Sequence, residues 1–237
     1  MKKFLNFKNE NNSDFNNIID YTILKPNYTI ENVKKFCDDA KNKNFYCICV
    51  LPEYISSVKS FLDNTNIKVC SVLSFPKGTD KMKNKIKDVQ NYITNGADEI
   101  EMVIDYNILH KLTNTDDAEY KDNYDYLLND IRSITSICHK NGVLIKAIIE
   151  IEELDYDEIK IACSICDEAS VDYIMTSTGF SKNIMNFDKK LEIVKYIRKI
   201  LPYHIKIKVA GGIRNMEQIN TLLPIVDRIG TSTLNFF

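Results

Sequence analysis

The chain has 237 residues with 44% hydrophobic and 27% charged side chains, enough apolar material for a sizeable core and too much for a disordered chain. Its formal net charge of −2 removes the broad electrostatic argument for nucleic-acid binding. No stretch approaches the roughly 18 apolar residues of a membrane span, and Met1-Lys2-Lys3-Phe4-Leu5-Asn6 breaks too soon for a secretory leader, so a cytosolic protein without membrane contact is expected.

The first 16 residues are polar and rich in Asn, which predicts a loose arm or a short leading helix. Apolar, β-branched runs then recur near residues 18–24, 44–51, 68–75, 99–104, 143–150, 172–176, 204–210 and 226–230. Between them lie segments with helical spacing, such as Ile30 to Cys37 and Leu191 to Ile197. Gly96 and Gly142 each follow a helical run and precede a strand, as left-handed helix caps do. The long interval between the fourth and fifth runs holds the acidic stretch Asn114 to Asp122, expected to be a solvated loop insertion over residues 110–128.

Strand followed by helix, eight times over, predicts one (β/α)8 TIM-barrel domain across residues 1–237. An open doubly wound sheet is the competing architecture. The seven cysteines, an odd number in a chain of this size, fit reduced thiols better than a disulfide framework. Cys163 and Cys166 form a CxxC, but it lies in an amphipathic helical stretch with no second ligand pair, which argues for core packing and against a metal.

Alternation along the strands says what faces the barrel interior. On the seventh, Ile205, Ile207 and Val209 face the helices and Lys206, Lys208 and Ala210 point inward. The same rule puts Glu99, Glu101 and Val103 of the fourth strand inward, with Lys146, Ile148 and Glu150 of the fifth. Lysines and glutamates sharing one interior form either a self-neutralising ion-pair network or a reactive site, since a lysine crowded by another ammonium becomes a better nucleophile.

Only seven glycines serve the chain, and four of them lie just beyond the last three strands, in Thr176-Ser177-Thr178-Gly179-Phe180, Ala210-Gly211-Gly212-Ile213-Arg214 and Ile229-Gly230-Thr231-Ser232-Thr233. Glycines there let backbone N–H groups approach an anion, hydroxyls add donors and Arg214 adds charge, the usual composition of a barrel phosphate site. Gly179, Gly211, Gly212, Arg214, Gly230, Ser232 and Thr233 are therefore candidate phosphate ligands.

At this point the sequence resembles the deoxyribose-phosphate aldolases over nearly its whole length. The resemblance rests on Asp20-Tyr21-Thr22-Ile23-Leu24-Lys25-Pro26, Cys49-Val50-Leu51-Pro52, Ser74-Phe75-Pro76-Lys77-Gly78, Asn95-Gly96-Ala97-Asp98-Glu99-Ile100, the Thr176 loop and Lys208-Val209-Ala210-Gly211-Gly212-Ile213-Arg214. It implies a class I aldolase that works through a lysine Schiff base without metal or other cofactor, cleaving 2-deoxyribose 5-phosphate to glyceraldehyde 3-phosphate and acetaldehyde. It also implies that Asp20, Glu101 and Lys208 serve catalysis and that Cys49, Thr176 and Thr178 contact substrate; Lys146, inward by alternation, is a further catalytic candidate beside Lys208.

The family's Schiff-base lysine stands immediately before Thr-Ser-Thr-Gly, where this chain has Met175; a thioether cannot form an imine. The family's strand-four aspartate falls at Glu101, one methylene longer, enough to displace proton transfer by about 1 Å. Three readings follow: a barrel that binds a phosphorylated sugar or phosphate without Schiff-base catalysis, an aldolase whose nucleophile has moved to Lys208 with Lys206 and Lys146 depressing its pKa, or an ordinary aldolase with an error at position 175. A non-catalytic interaction protein, using the acidic stretch from Asp116 to Asp122, is the alternative from another class. A homo-oligomer is compatible with all of them.

Overall fold

The computed structural model describes residues 15–113 and 117–234. Eight parallel strands close into a barrel in chain order: β1 (Ile19–Ile23), β2 (Cys47–Val50), β3 (Lys68–Leu73), β4 (Glu99–Val103), β5 (Leu144–Ile148), β6 (Tyr173–Met175), β7 (Lys206–Val209) and β8 (Arg228–Thr231). Closure is made by β1 against β8, with Asp20 opposite Gly230, and it excludes the open doubly wound sheet. Each strand lies inside the run that predicts it, except that β8 extends one residue further.

All seven connections between successive strands carry helices, the fourth carrying two: α1 (Ile30–Lys43), α2 (Ile55–Phe61), α3 (Met82–Thr94), α4 (Tyr106–Leu112), α5 (Asp117–Lys140), α6 (Tyr156–Glu168), α7 (Phe187–Ile200) and α8 (Met216–Leu222). Local chemistry sets their ends. The Thr29 hydroxyl accepts from the Asn32 N–H while the Asn32 side chain accepts from the Thr29 N–H, and Asp155 and Glu158 make the same reciprocal pair at the start of α6. Asn186 and Asn215 cap α7 and α8.

The connection after β4 differs from expectation. The acidic stretch is not a loop insertion, because from Asp117 onward it forms the first turns of the 24-residue α5. Its apolar stripe, Leu127, Leu128, Ile131, Ile134 and Cys138, begins nearly three turns later and packs on the main core. The expected N-terminal arm lies outside the described residues except for Phe15 and Asn16; Asn16–Ile18 form one 3-10 turn, and the Asn16 amide donates to the Lys43 carbonyl at 2.8 Å.

Alternation divides the apolar residues into two layers. The large core lies between sheet and helices and takes Ile19, Tyr21 and Ile23 of β1, Ile100 and Met102 of β4, Ile145 and Ala147 of β5, and Ile207 and Val209 of β7. Two small clusters fill the barrel: Leu24, Cys47, Cys49, Cys70 and Val72 on one side, Val103, Ile148, Met175 and Ala210 on the other. Cys163 and Cys166 sit in the outer core, as packing residues do.

Outside the barrel one buried ion pair ties α3 to α5, with the Lys85 ammonium 2.6 Å from Asp130 and both side chains at most 2% exposed. Burial raises the Asp130 carboxyl above the usual range against the pull of Lys85. Removing one partner strands a buried charge, whereas removing both does not. Lys85→Met is expected to lower the unfolding free energy by about 3–5 kcal/mol in urea denaturation, and Lys85→Met with Asp130→Leu to recover most of that loss; equal losses in both proteins would show that the pair does not act as a unit.

Candidate functional site

The barrel interior below its carboxyl-terminal mouth is ionic. Asp20, Glu99, Glu101, Lys146, Lys208 and Arg228 are each at most 2% exposed, three acids against three bases. Lys146 Nζ lies 2.8 Å from Asp20 Oδ2, 2.6 Å from Glu99 Oε2 and 3.0 Å from Glu101 Oε1. Lys208 Nζ lies 2.8 Å from Asp20 Oδ2 and 2.5 Å from Glu101 Oε1. Arg228 donates to Asp20 Oδ1 and Glu99 Oε2, and its guanidinium lies 3.4 Å from the centre of the Tyr46 ring.

This pairing sets the protonation states. Burial works against charge on Asp20 and Glu101, but the surrounding cations win, holding Asp20 well below the usual carboxylate range and bringing Glu101 down to about 2. Burial alone would lower Lys208, yet Asp20 and Glu101 raise it above an ordinary lysine despite the opposing Lys146. The expected depression of Lys208 is therefore not found. Lys206 contributes nothing to it: it is exposed at the opposite end of β7, with its ammonium 5.4 Å from the Tyr173 ring centre. The alternation rule gives the direction of a side chain, not its depth, and Lys206 at the start of β7 opens to water.

Above the ionic layer is a cavity of about 560 Å³ at the carboxyl ends of the strands. Glu101 and Met175 reach it from below, and Thr178, Gly179, Gly211, Gly212, Arg214, Gly230, Ser232 and Thr233 wall it. Thr22, Lys25, Phe75, Phe180 and Ala210 are also part of the wall. Asp20, Cys49, Lys146, Lys208 and Thr176 do not line it. Cys49 Sγ lies 3.5 Å from Glu101 Oε2, and the Thr176 hydroxyl exchanges hydrogen bonds with the backbone of Ala210, joining the ends of β6 and β7.

Met175 packs among Val103, Ile148, Ala210 and Phe75, in register between Ile148 and Lys208. It is 3% exposed and brings no titratable group to the cavity floor. Glycine is required around it by close approach. Gly211 has φ +78, and a Cβ there would lie 3.1 Å from the Ser177 Cβ; one on Gly230 would lie 3.1 Å from Cε of Lys208.

Sequence reasoning missed two parts of this assembly. Arg228 obeys the same alternation as Lys208, since its neighbour Ile229 belongs to the outer core. Lys190 is 3% exposed and shares the buried stripe of α7 with Ile193, Val194 and Ile197, the signal that could have found it. It donates to Glu152, the Ser177 hydroxyl and the Ala210 carbonyl. Glu150 lies beyond the end of β5 with φ +56, leaves the strand's alternation and turns to Thr178 instead of the barrel axis.

Among the described residues, Cys47, Cys70 and Glu99, and Cys49, Cys70 and Glu101, bring ligand atoms close enough for a metal ion. In each group the carboxylate is already held by the Lys146 ammonium, so a cation would have to displace that lysine. Among the same residues no helix is long and apolar enough to cross a membrane.

The depressed Glu101 pKa has a direct consequence for stability. A carboxylate whose folded pKa lies below its unfolded value stabilises the fold above the unfolded value, near 4.5, and loses that contribution as pH falls through the folded one, about 2. Urea denaturation is expected to show a steep loss across that window. Glu101→Gln should be less stable at neutral pH by about 3 kcal/mol and lose less on acidification; an unchanged acid profile would contradict the network.

A family model described as DeoC/LacD family aldolase matches residues 8–224. The chain is 39% identical over 219 residues to a deoxyribose-phosphate aldolase of Caldicellulosiruptor saccharolyticus, covering 91% of this chain and 92% of that one. It is 33% identical over 220 residues to one of Mycoplasmoides pirum, covering 92% and 94% respectively. A solved structure titled "QR15, an Aldolase" superposes with a TM-score of 0.81 at 30% identity, covering 92% of this chain and 91% of that one.

Proposed function

From the premise that the chain belongs to the DeoC/LacD family of aldolases, we propose that its cavity binds a small phosphorylated sugar without forming a Schiff base. The carrying observation is the split between wall and floor. Thr178 and Gly179 after β6, Gly211 and Gly212 after β7, and Gly230, Ser232 and Thr233 at and beyond the end of β8 wall the cavity together with Arg214 and Lys25, a composition suited to a phosphate group. The floor offers Met175, and the nearest buried amine on the adjoining strand, Lys208, is a paired ammonium without a free electron pair.

In this reading the phosphate rests on Gly179, Gly211, Gly212 and Gly230, with Ser232 and Thr233 donating and Arg214 neutralising charge. The sugar extends towards Glu101, the one carboxylate of the ionic layer that reaches the cavity. Glu101 accepts from substrate hydroxyls while Lys208 and Lys146 keep it ionised. Thr176 and Cys49 position the ends of β6 and of Glu101 from behind. The relatives are named as deoxyribose-phosphate aldolases, which makes 2-deoxyribose 5-phosphate the first ligand to test.

Binding to the folded state alone stabilises it by mass action. 2-Deoxyribose 5-phosphate at a hundredfold excess over Kd is expected to add about 2.7 kcal/mol in a thermal-shift measurement, with affinity about tenfold weaker in Arg214→Ala. No shift with this sugar phosphate or with inorganic phosphate would overturn the reading.

Met175→Lys would place a third amine, and a fourth basic group, beside an already balanced interior. Burial and the neighbouring ammonium groups would hold it near neutral, the condition for nucleophilic attack on a carbonyl, while destabilising the fold by about 3–5 kcal/mol. This variant is expected to release acetaldehyde from 2-deoxyribose 5-phosphate where the unaltered chain releases none. A folded, ligand-binding variant that stayed silent would locate the loss in Glu101 as well as in Met175.

A further inference from the structure

The loops on one side of the cavity rest on a second buried network, separate from the ionic layer. Beyond β5, the Glu150 carboxylate is 2% exposed and accepts from the Thr178 N–H at 3.2 and 3.3 Å and from the Thr178 hydroxyl. Two residues later, Glu152 Oε1 accepts from the Ser177 hydroxyl at 2.8 Å and from Lys190 at 2.6 Å. Lys190 also donates to the Ala210 carbonyl at 3.0 Å. Thr178, Ala210 and Gly211 all line the cavity, and a Cβ on Gly211 would lie 3.3 Å from Lys190 Nζ.

The hydrogen-bond accounting leaves one atom over. Glu152 Oε2 is buried and accepts from no donor, and Glu150 and Glu152 lie two residues apart with their carboxyl groups held by the adjacent residues Thr178 and Ser177, which brings the two acids together. Two carboxyl groups meet one ammonium. A proton on Glu150, donated to Glu152 Oε2, would satisfy the orphan oxygen and bring the charges to one against one. The other titratable groups near Glu150 are Tyr106 of α4 and Glu153. Glu153 is already held by the Ser181 hydroxyl and the Asn183 amide.

We propose that Glu150 and Glu152 share one proton beneath the loops after β6 and β7, and that its release weakens anion binding in the cavity. The proposal rests on the anion-binding reading above and adds its regulation. Once the proton leaves, two carboxylates stand in one network with a single ammonium, Lys190, which is paired with Glu152. A net negative charge then lies under the walls that receive the phosphate, and the repulsion loosens the contacts that hold Thr178 and Ser177. Burial, with Glu152 adding to it, pushes Glu150 up to about 7 against the hydrogen bonds from Thr178, which puts the transition in the neutral range.

Sulfate tests this, because it remains a dianion throughout and adds no titration of its own. Calorimetric titration is expected to give an affinity about tenfold weaker at about pH 8 than at about pH 6. In Glu150→Gln, whose amide still accepts from Thr178 and donates to Glu152, the affinity should vary by less than about twofold. An equal fall in both proteins overturns the proposal. Carbon-detected NMR of the glutamate carboxyls in the unaltered protein provides a test that needs neither ligand nor variant: one glutamate should titrate near pH 7, and none doing so also overturns it. If that titration is seen but sulfate does not bind at about pH 6, the shared proton stands; the anion-binding reading and the regulation built on it fail.

Discussion

The floor of this barrel's cavity depends on the pairing of three buried acids with three buried bases. Asp20 alone takes contacts from Lys146, Lys208 and Arg228, so strands β1, β5, β7 and β8 are held by one carboxylate. Charges so deeply buried are tolerable only when fully paired. That requirement decides the chemistry: it keeps the amines protonated and the acids ionised, and it leaves little room for a free amine unless the balance is broken.

Met175 maintains the balance. Its position adjoins Lys208 on the neighbouring strand and faces an apolar cluster, where a thioether adds no charge and fills irregular space well. A barrel carrying an additional amine here would hold an unpaired cation or a depressed lysine, the state a Schiff-base enzyme exploits. In this chain the interior charges balance, three against three, beneath the cavity whose floor Met175 and Glu101 form.

Much of this was legible in the sequence because barrel strands impose two simple rules. Eight β-branched runs gave the closed sheet, and strict alternation separated Ile100 and Met102 from Glu99 and Glu101. The rules failed where depth or tertiary contact decides. Lys206 obeys the alternation yet stands in water at the strand's first residue. The acidic start of α5 has no apolar stripe to announce a helix, since its buried residues begin at Leu127. The Glu150, Glu152 and Lys190 network joins a loop to a helix across 38 residues between Glu152 and Lys190, a contact that no local pattern encodes.

The central claim is that this family member holds its ligand without a covalent bond. Its most direct test is mass spectrometry of the intact protein after incubation with 2-deoxyribose 5-phosphate and sodium borohydride, which reduces any imine to a stable adduct. The account requires an unchanged mass at saturating ligand, with the fold stabilised by that same ligand. A mass increase mapped to Lys208 would contradict it and show that the paired ammonium gives up its proton to become the nucleophile.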